Sequence, residues 1–141
     1  MVKIIGIDPG LSATGVAIVR GNGRNVSSYC FGSIKTSNSQ PLPSRLEHIF
    51  TRLRQTLSAE KPDLMVVEDV FSLAKFPKSG IILGQVVGVV MLAGCQAGVP
   101  SVEIPVREAK QVLTGNGNAG KKQLEEAVRH RLDHRETIRP H

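Results

Sequence analysis

Apolar positions fall along the chain in short blocks, and the spacing inside the blocks changes from one to the next. Lys3-Ile4-Ile5-Gly6-Ile7 is almost continuously apolar and mostly β-branched, the pattern of a strand buried on both faces. It stops at an acid, and Asp8-Pro9-Gly10 is turn chemistry. A second β-branched block, residues 16–19, follows at once, so the two read as a hairpin. Gly21-Asn22-Gly23 marks another turn, and residues 26–36 form a third strand that completes an antiparallel meander. After the polar loop 38–43 the period changes. Leu46, Ile49, Phe50, Leu53 and Leu57 lie on one helical stripe, Ser44-Arg45-Leu46-Glu47 has capping-box spacing, and Lys61-Pro62 ends the helix. Residues 64–68 are a fourth strand, again apolar and again ending in an acid, Glu68. Strand, helix and strand in succession predict parallel pairing onto the first strand.

Residues 70–79 read as a loop carrying Phe71, Lys75, Phe76 and Lys78. The stretch 81–97, from Ile81 to Ala97, is apolar nearly all round. It is short for a membrane span, is interrupted by Gly84, Gln85 and Gly88, and leads into a further strand pattern, so a buried helix is the better reading. A helix with no polar face buries more than one side. One side covers the sheet, and the other meets a second copy of the chain, with Gly80, Gly84 and Gly88 allowing close approach. Residues 101–105 form a fifth strand. Residues 106–113 form a short helix exposing Arg107 and Lys110, 114–120 a glycine- and asparagine-rich loop, and 120–132 a last helix. The tail 133–141 is polar. The result is one α/β domain of residues 1–141, without repeat or linker.

A chain of 141 residues suffices for one domain with a real core. Its 40% hydrophobic and 21% charged residues fit a globular protein. The net charge of +6 points to a polyanionic partner, nucleic acid before membrane. With aromatics at 4%, a base-stacking platform for single strands is disfavoured. Cys30 and Cys95 match no metal-ligand spacing and read as reduced, buried thiols of a cytoplasmic protein. No signal peptide precedes the first strand.

The acids at the strand ends carry the candidate chemistry. Asp8 alone is either a turn former or a ligand. If the first and fourth strands are neighbours, Asp8 and Glu68 lie side by side, and paired carboxylates suit a hard divalent cation. Such ions activate water and stabilise the leaving oxygen in phosphodiester hydrolysis. Strand alternation turns Asp69 to the other face, and Asp63 reads as a surface residue. The segment from Gly115 to Lys121 has the spacing of a phosphate-binding loop, but it follows a helix, and Lys122 stands where Ser or Thr would hold magnesium. Its backbone N–H groups and lysines suit nucleic-acid phosphates instead.

With these residues in place the sequence resembles the RuvC-type Holliday-junction resolvases, the crossover junction endodeoxyribonucleases. The carriers are Gly6-Ile7-Asp8-Pro9-Gly10 with Thr14-Gly15, Leu42-Pro43-Ser44-Arg45-Leu46, Pro62-Asp63 and Glu68-Asp69-Val70-Phe71. They continue with Leu83-Gly84-Gln85, Gly88-Val89, Lys110-Gln111 and the 114–121 loop. The resemblance implies a ribonuclease H-like fold, a five-stranded mixed sheet flanked by helices. It implies a homodimer that binds a four-way DNA junction and nicks two opposed strands with Mg²⁺, Mn²⁺ substituting, alongside branch-migration motor proteins. By family position Asp8 and Glu68 are catalytic metal ligands and Lys121 a catalytic cation. Phe71, Lys78, Arg107, Lys110, Lys121 and Lys122 are the expected DNA contacts.

The family closes its site with a final helix opening on an acid or histidine, with an aspartate three residues later. The sequence here stops at Arg139-Pro140-His141, so His141 is either that first position, and a metal ligand, or lies just before it. The corresponding expectation is junction binding without efficient cutting by these residues. Two other functions compete with junction resolution: a junction-binding module without catalysis, and a ribonuclease H-like nuclease acting on RNA.

Overall fold

The structure is a computed structural model and describes residues 1–22, 25–69, 77–108, 116, 118, 120, 122, 123 and 126. Its elements are β1 (Val2–Asp8), β2 (Ala13–Asn22), β3 (Asn25–Lys35), α1 (Leu42–Glu60), β4 (Leu64–Asp69), α2 (Pro77–Gln96) and β5 (Ser101–Pro105). The strands form one mixed sheet in the order β3-β2-β1-β4-β5. β1, the central strand, pairs antiparallel with β2 and parallel with β4. β2 extends well beyond the apolar block 16–19 because its polar ends also pair with β3, from Ala13↔Lys35 to Asn22↔Asn25.

Strand alternation sorts the sheet into two faces. Ile5 and Ile7 of β1, Ile18 of β2, and Met65 and Val67 of β4 share one face and are buried. They form a single core with Ile49, Leu53 and Leu57 of α1 and Val86, Val90 and Ala93 of α2. Truncating one of these, such as Leu53→Ala, removes roughly 2–5 kcal/mol. The close approach in this layer is at Gly94. A Cβ there would sit 2.5 Å from the Met65 methyl carbon, whereas Gly84 and Gly88 have nothing within 4 Å. α2 is long and apolar enough to cross a membrane by length and composition alone. Here one of its sides supplies core residues. The opposite side exposes Ile81, Gly84, Gln85, Gly88, Leu92 and Cys95 in one stripe.

Several local expectations are corrected. α1 starts at Leu42, before Ser44, and its N-cap Pro41 makes no side-chain capping bond. Pro43 explains this start: in a first turn its missing N–H costs nothing and its φ is already helical. Lys61 closes the helix in the left-handed conformation (φ 49°), its N–H donating to the Leu57 carbonyl. α2 likewise begins on a proline, Pro77, so Lys78 stands in a helical first turn and not in a loop. Both cysteines are free and exposed, not buried. Cys30 sits on the edge strand β3 beside a shallow groove lined by Arg52 and Thr56 of α1, and Cys95 lies on the outward stripe of α2.

Candidate active site

The register between β1 and β4 runs Ile4↔Leu64, Ile5↔Met65, Gly6↔Val66 and Ile7↔Val67. Continued by one residue, it sets Asp8 beside Glu68 at the carboxyl ends of the two central parallel strands. Both point to the face opposite the α1/α2 layer, with Gly6 and Val66 below them. Asp8 is exposed and Glu68 half-buried. Asp69 alternates to the helix-covered face, as its position predicts. The carboxyl edge of parallel strands is where open α/β sheets present ligand sites. Arg107 lies two residues past the end of β5, at that edge.

The turn after Asp8 is tied down by short hydrogen bonds. Thr14 is fully buried; its hydroxyl donates to the Gly10 carbonyl (2.7 Å) and accepts from the Gly10 N–H (3.4 Å). A Cβ on Gly10 would collide with the Ala13 carbonyl oxygen, so only glycine fits the turn. Asp8 lies opposite Gly15 on β2. A Cβ there would come 3.3 Å from the Asp8 Cβ and 3.9 Å from its Oδ2, so this glycine leaves the carboxylate room. Farther along, the Thr36 N–H donates to the Ser12 carbonyl (3.0 Å) and the Thr36 hydroxyl to the Leu11 carbonyl (2.6 Å).

Two adjacent carboxylates fit a hard divalent cation by donor chemistry, since such ions take oxygen ligands. Among the described residues no group of three acids, histidines or cysteines converges, and two carboxylates alone are too few to fill such an ion's shell. Lys78, Arg107 and Lys122 are exposed, and Lys122, Gln123 and Glu126 are each helical. The expected contributions of Phe71, Lys110, Lys121 and His141 fall outside the described residues. Of the 115–121 loop, Asn116, Asn118 and Gly120 are described, and the Asn118 N–H donates to the Asn116 side chain (3.0 Å). Sequence reasoning missed Asp63. Though exposed, its carboxylate accepts the Lys3 N–H (2.8 Å) while its own N–H donates to the Lys3 carbonyl (2.8 Å), fixing the register at the opposite end of β1 and β4. Its place just before β4 was the available signal.

A central strand flanked by one antiparallel and one parallel neighbour, with acids at the parallel ends, is the arrangement of the ribonuclease H-like nucleases. The comparisons narrow the class. The family model described as crossover junction endodeoxyribonuclease RuvC matches residues 4–141. A RuvC of Rhodopirellula baltica is 38% identical over 92% of this chain and 73% of its own length. One from Brevibacillus brevis is 37% identical over 98% and 82%. The fold superposes with a TM-score of 0.91 on Thermus thermophilus RuvC in complex with Holliday junction substrate. That protein is 29% identical, and the match covers 99% of this chain and 85% of that one. The chain belongs to the RuvC family of crossover junction endodeoxyribonucleases. The nucleases of this family are metal-dependent.

Proposed function

We propose that this chain resolves four-way DNA junctions in recombination and repair by Mg²⁺-dependent phosphodiester hydrolysis, working in the cytoplasm with branch-migration motors. The observation that carries the reading is the register that sets Asp8 beside Glu68 at the carboxyl edge of β1 and β4. These carboxylates would hold the metal, which when bound would make a water more acidic and polarise the phosphate. Lys121 neutralises charge growing on the phosphate oxygens. Lys78, Arg107, Lys110 and Lys122 hold the backbone, and Phe71 meets bases at the junction centre.

Nicking two opposed strands asks for two sites related by a two-fold axis, hence a homodimer. The outward stripe of α2 supports an interface there, with Ile81 65% and Leu92 51% exposed. Leu92→Asp should give monomers in sedimentation at micromolar concentration. Leu92 is suited to this test because it is exposed, whereas its neighbour Met91 packs against the core.

The deciding experiment offers a four-way junction, a linear duplex and a structured RNA, each with Mg²⁺ and with EDTA. Metal-dependent paired nicks in the junction alone are expected, at low efficiency from residues 1–141 because Asp8 and Glu68 are too few to fill a metal's shell. Binding without nicking would make the chain a junction-binding module, and cutting of RNA would make it another ribonuclease H-like nuclease.

A further inference from the structure

Arg45 has no place in the chemistry above, yet its guanidinium reaches out of α1 to the turn that follows Asp8. Its Nε donates to the Thr36 hydroxyl (2.8 Å), and its Nη2 donates to the Ser12 hydroxyl (3.3 Å). The direction of this relay is fixed by proton count. A hydroxyl has one proton, and Thr36 gives it to the Leu11 carbonyl at 2.6 Å. It must therefore accept from any further partner, and arginine only donates. Arg45, half-buried and always charged, strengthens and orients that bond.

We propose that Arg45 is a positioning residue for the candidate metal site, acting through Thr36 to lock the turn that carries Asp8. Leu11 and Ser12 lie between β1 and β2 and outside both. Without a tie from β3 and α1, such a segment opens at low free-energy cost. With the tie, three carbonyls of the turn are held: Gly10 by Thr14, and Leu11 and Ser12 by Thr36. Asp8 is the last residue of β1, paired with Gly15 through the main chain, and its carboxylate has no hydrogen bond or ion pair to a described residue, so its direction comes from its backbone. A ligand must be held within roughly 0.5 Å of its productive place. A lysine at this position cannot reproduce the planar fork that reaches Thr36 and Ser12 together.

The inference rests on Asp8 being a metal ligand, and the test separates the two. Mn²⁺ is titrated into the chain, and paramagnetic broadening of the Asp8 and Gly15 amide signals gives its affinity without any turnover. Arg45→Ala should weaken Mn²⁺ about tenfold, by loss of support behind a ligand. Thr36→Val should do the same, the double variant no more, Arg45→Lys should fall between, and Thr36→Ser should behave as the unmodified protein. Heat denaturation without metal reads out stability separately, and a purely structural role would lower it while the folded protein kept its Mn²⁺ affinity. If Arg45→Ala does not fold, Thr36→Val decides in its place. Unchanged affinity in Arg45→Ala, or equal weakening in Thr36→Ser and Thr36→Val, overturns the proposal. With Asp8→Asn as reference, loss of Mn²⁺ there and retention in Arg45→Ala leaves the metal site standing and removes Arg45 from it. Retention in Asp8→Asn sinks the metal site and this inference with it.

Discussion

Acids gather at both ends of the central strand pair, and the two ends use them in opposite ways. At the amino ends of β1 and β4, Asp63 holds the Lys3 backbone, and Glu60 is met by Lys3 (3.2 Å) and Arg20 (3.7 Å). Lys3 Nζ also donates to the Glu60 carbonyl (2.6 Å). Those carboxylates are spent on register and on joining α1 to the sheet. At the carboxyl ends Asp8 stands exposed without an ion pair to a described residue; Gly15 pairs with its main chain, and Thr14 and Thr36 hold the turn after it, not its charge. An acid whose charge is already matched adds little to a cation site. One positioned through the main chain keeps its charge for a ligand. The same residue type thus serves register at one end and, in the proposed function, catalysis at the other.

The largest expected effect comes from removing charge at the second end. Asp8→Asn and Glu68→Gln should each cut junction nicking by at least about a thousandfold, as expected when a metal loses a ligand and the attacking water its place. Junction affinity should stay near that of the unmodified protein, because it comes from lysines and arginines and their release of counterions. Single-turnover nicking with a parallel gel-shift titration reads both quantities. Activity surviving in either variant would remove the contrast between the two ends.

A smaller loss should follow from Gly15→Ala. The added methyl would stand 3.3 Å from the Asp8 Cβ, tight enough to push the side chain a few tenths of an ångström. Misplacement near 1 Å costs roughly a hundredfold in rate, so a loss of about tenfold in nicking at saturating metal is the expected outcome. Lys121→Ala should slow the chemical step more than it weakens binding. One phosphate contact among many matters little to affinity, but a contact tightened in the transition state acts on rate. A collapse of affinity with an unchanged rate at saturation would reassign Lys121 to DNA holding.

The sheet was legible because β1 and β2 announced themselves through β-branched runs and turn signals marked where β3 begins, and residues 101–105 matched β5 to the residue. The pairing of Asp8 with Glu68 followed from one topological step, the parallel crossover from β1 to β4. What escaped were contacts between segments distant in sequence. Asp63 meets Lys3 across 60 positions and Arg45 meets Ser12 across 33, and nothing in local spacing encodes either. The burial of the cysteines was misread for a related reason. Cysteine type favours the interior, but exposure is decided by packing: Cys30 sits on the edge strand β3 beside an open groove, and Cys95 on the side of α2 turned away from the core. The cap of α1 was misread because Ser44 and Glu47 have the right spacing, and Pro43 had already fixed an earlier start.

The smallest effect, and the one that sharpens the comparison most, belongs to the first end. Asp63→Ala removes the bond from the Lys3 N–H to the carboxylate at an exposed position, while the main-chain bond from Asp63 to the Lys3 carbonyl survives. A hydrogen bond to a charged group contributes roughly 1.5–3 kcal/mol when well shielded. Solvent exposure and the surviving main-chain bond reduce that to about 1 kcal/mol or less. For a domain of this size the unfolding midpoint should fall by roughly 2–6 °C. Nicking of a junction at 25 °C should be unchanged, since Asp63 lies at the far end of β1 and β4 from Asp8 and Glu68. Calorimetry and a single-turnover assay on the same preparation test both halves. A fall in rate without a fall in midpoint would mean that register set at Asp63 is transmitted along β1 to the carboxylates, and the division between the ends would have to be given up.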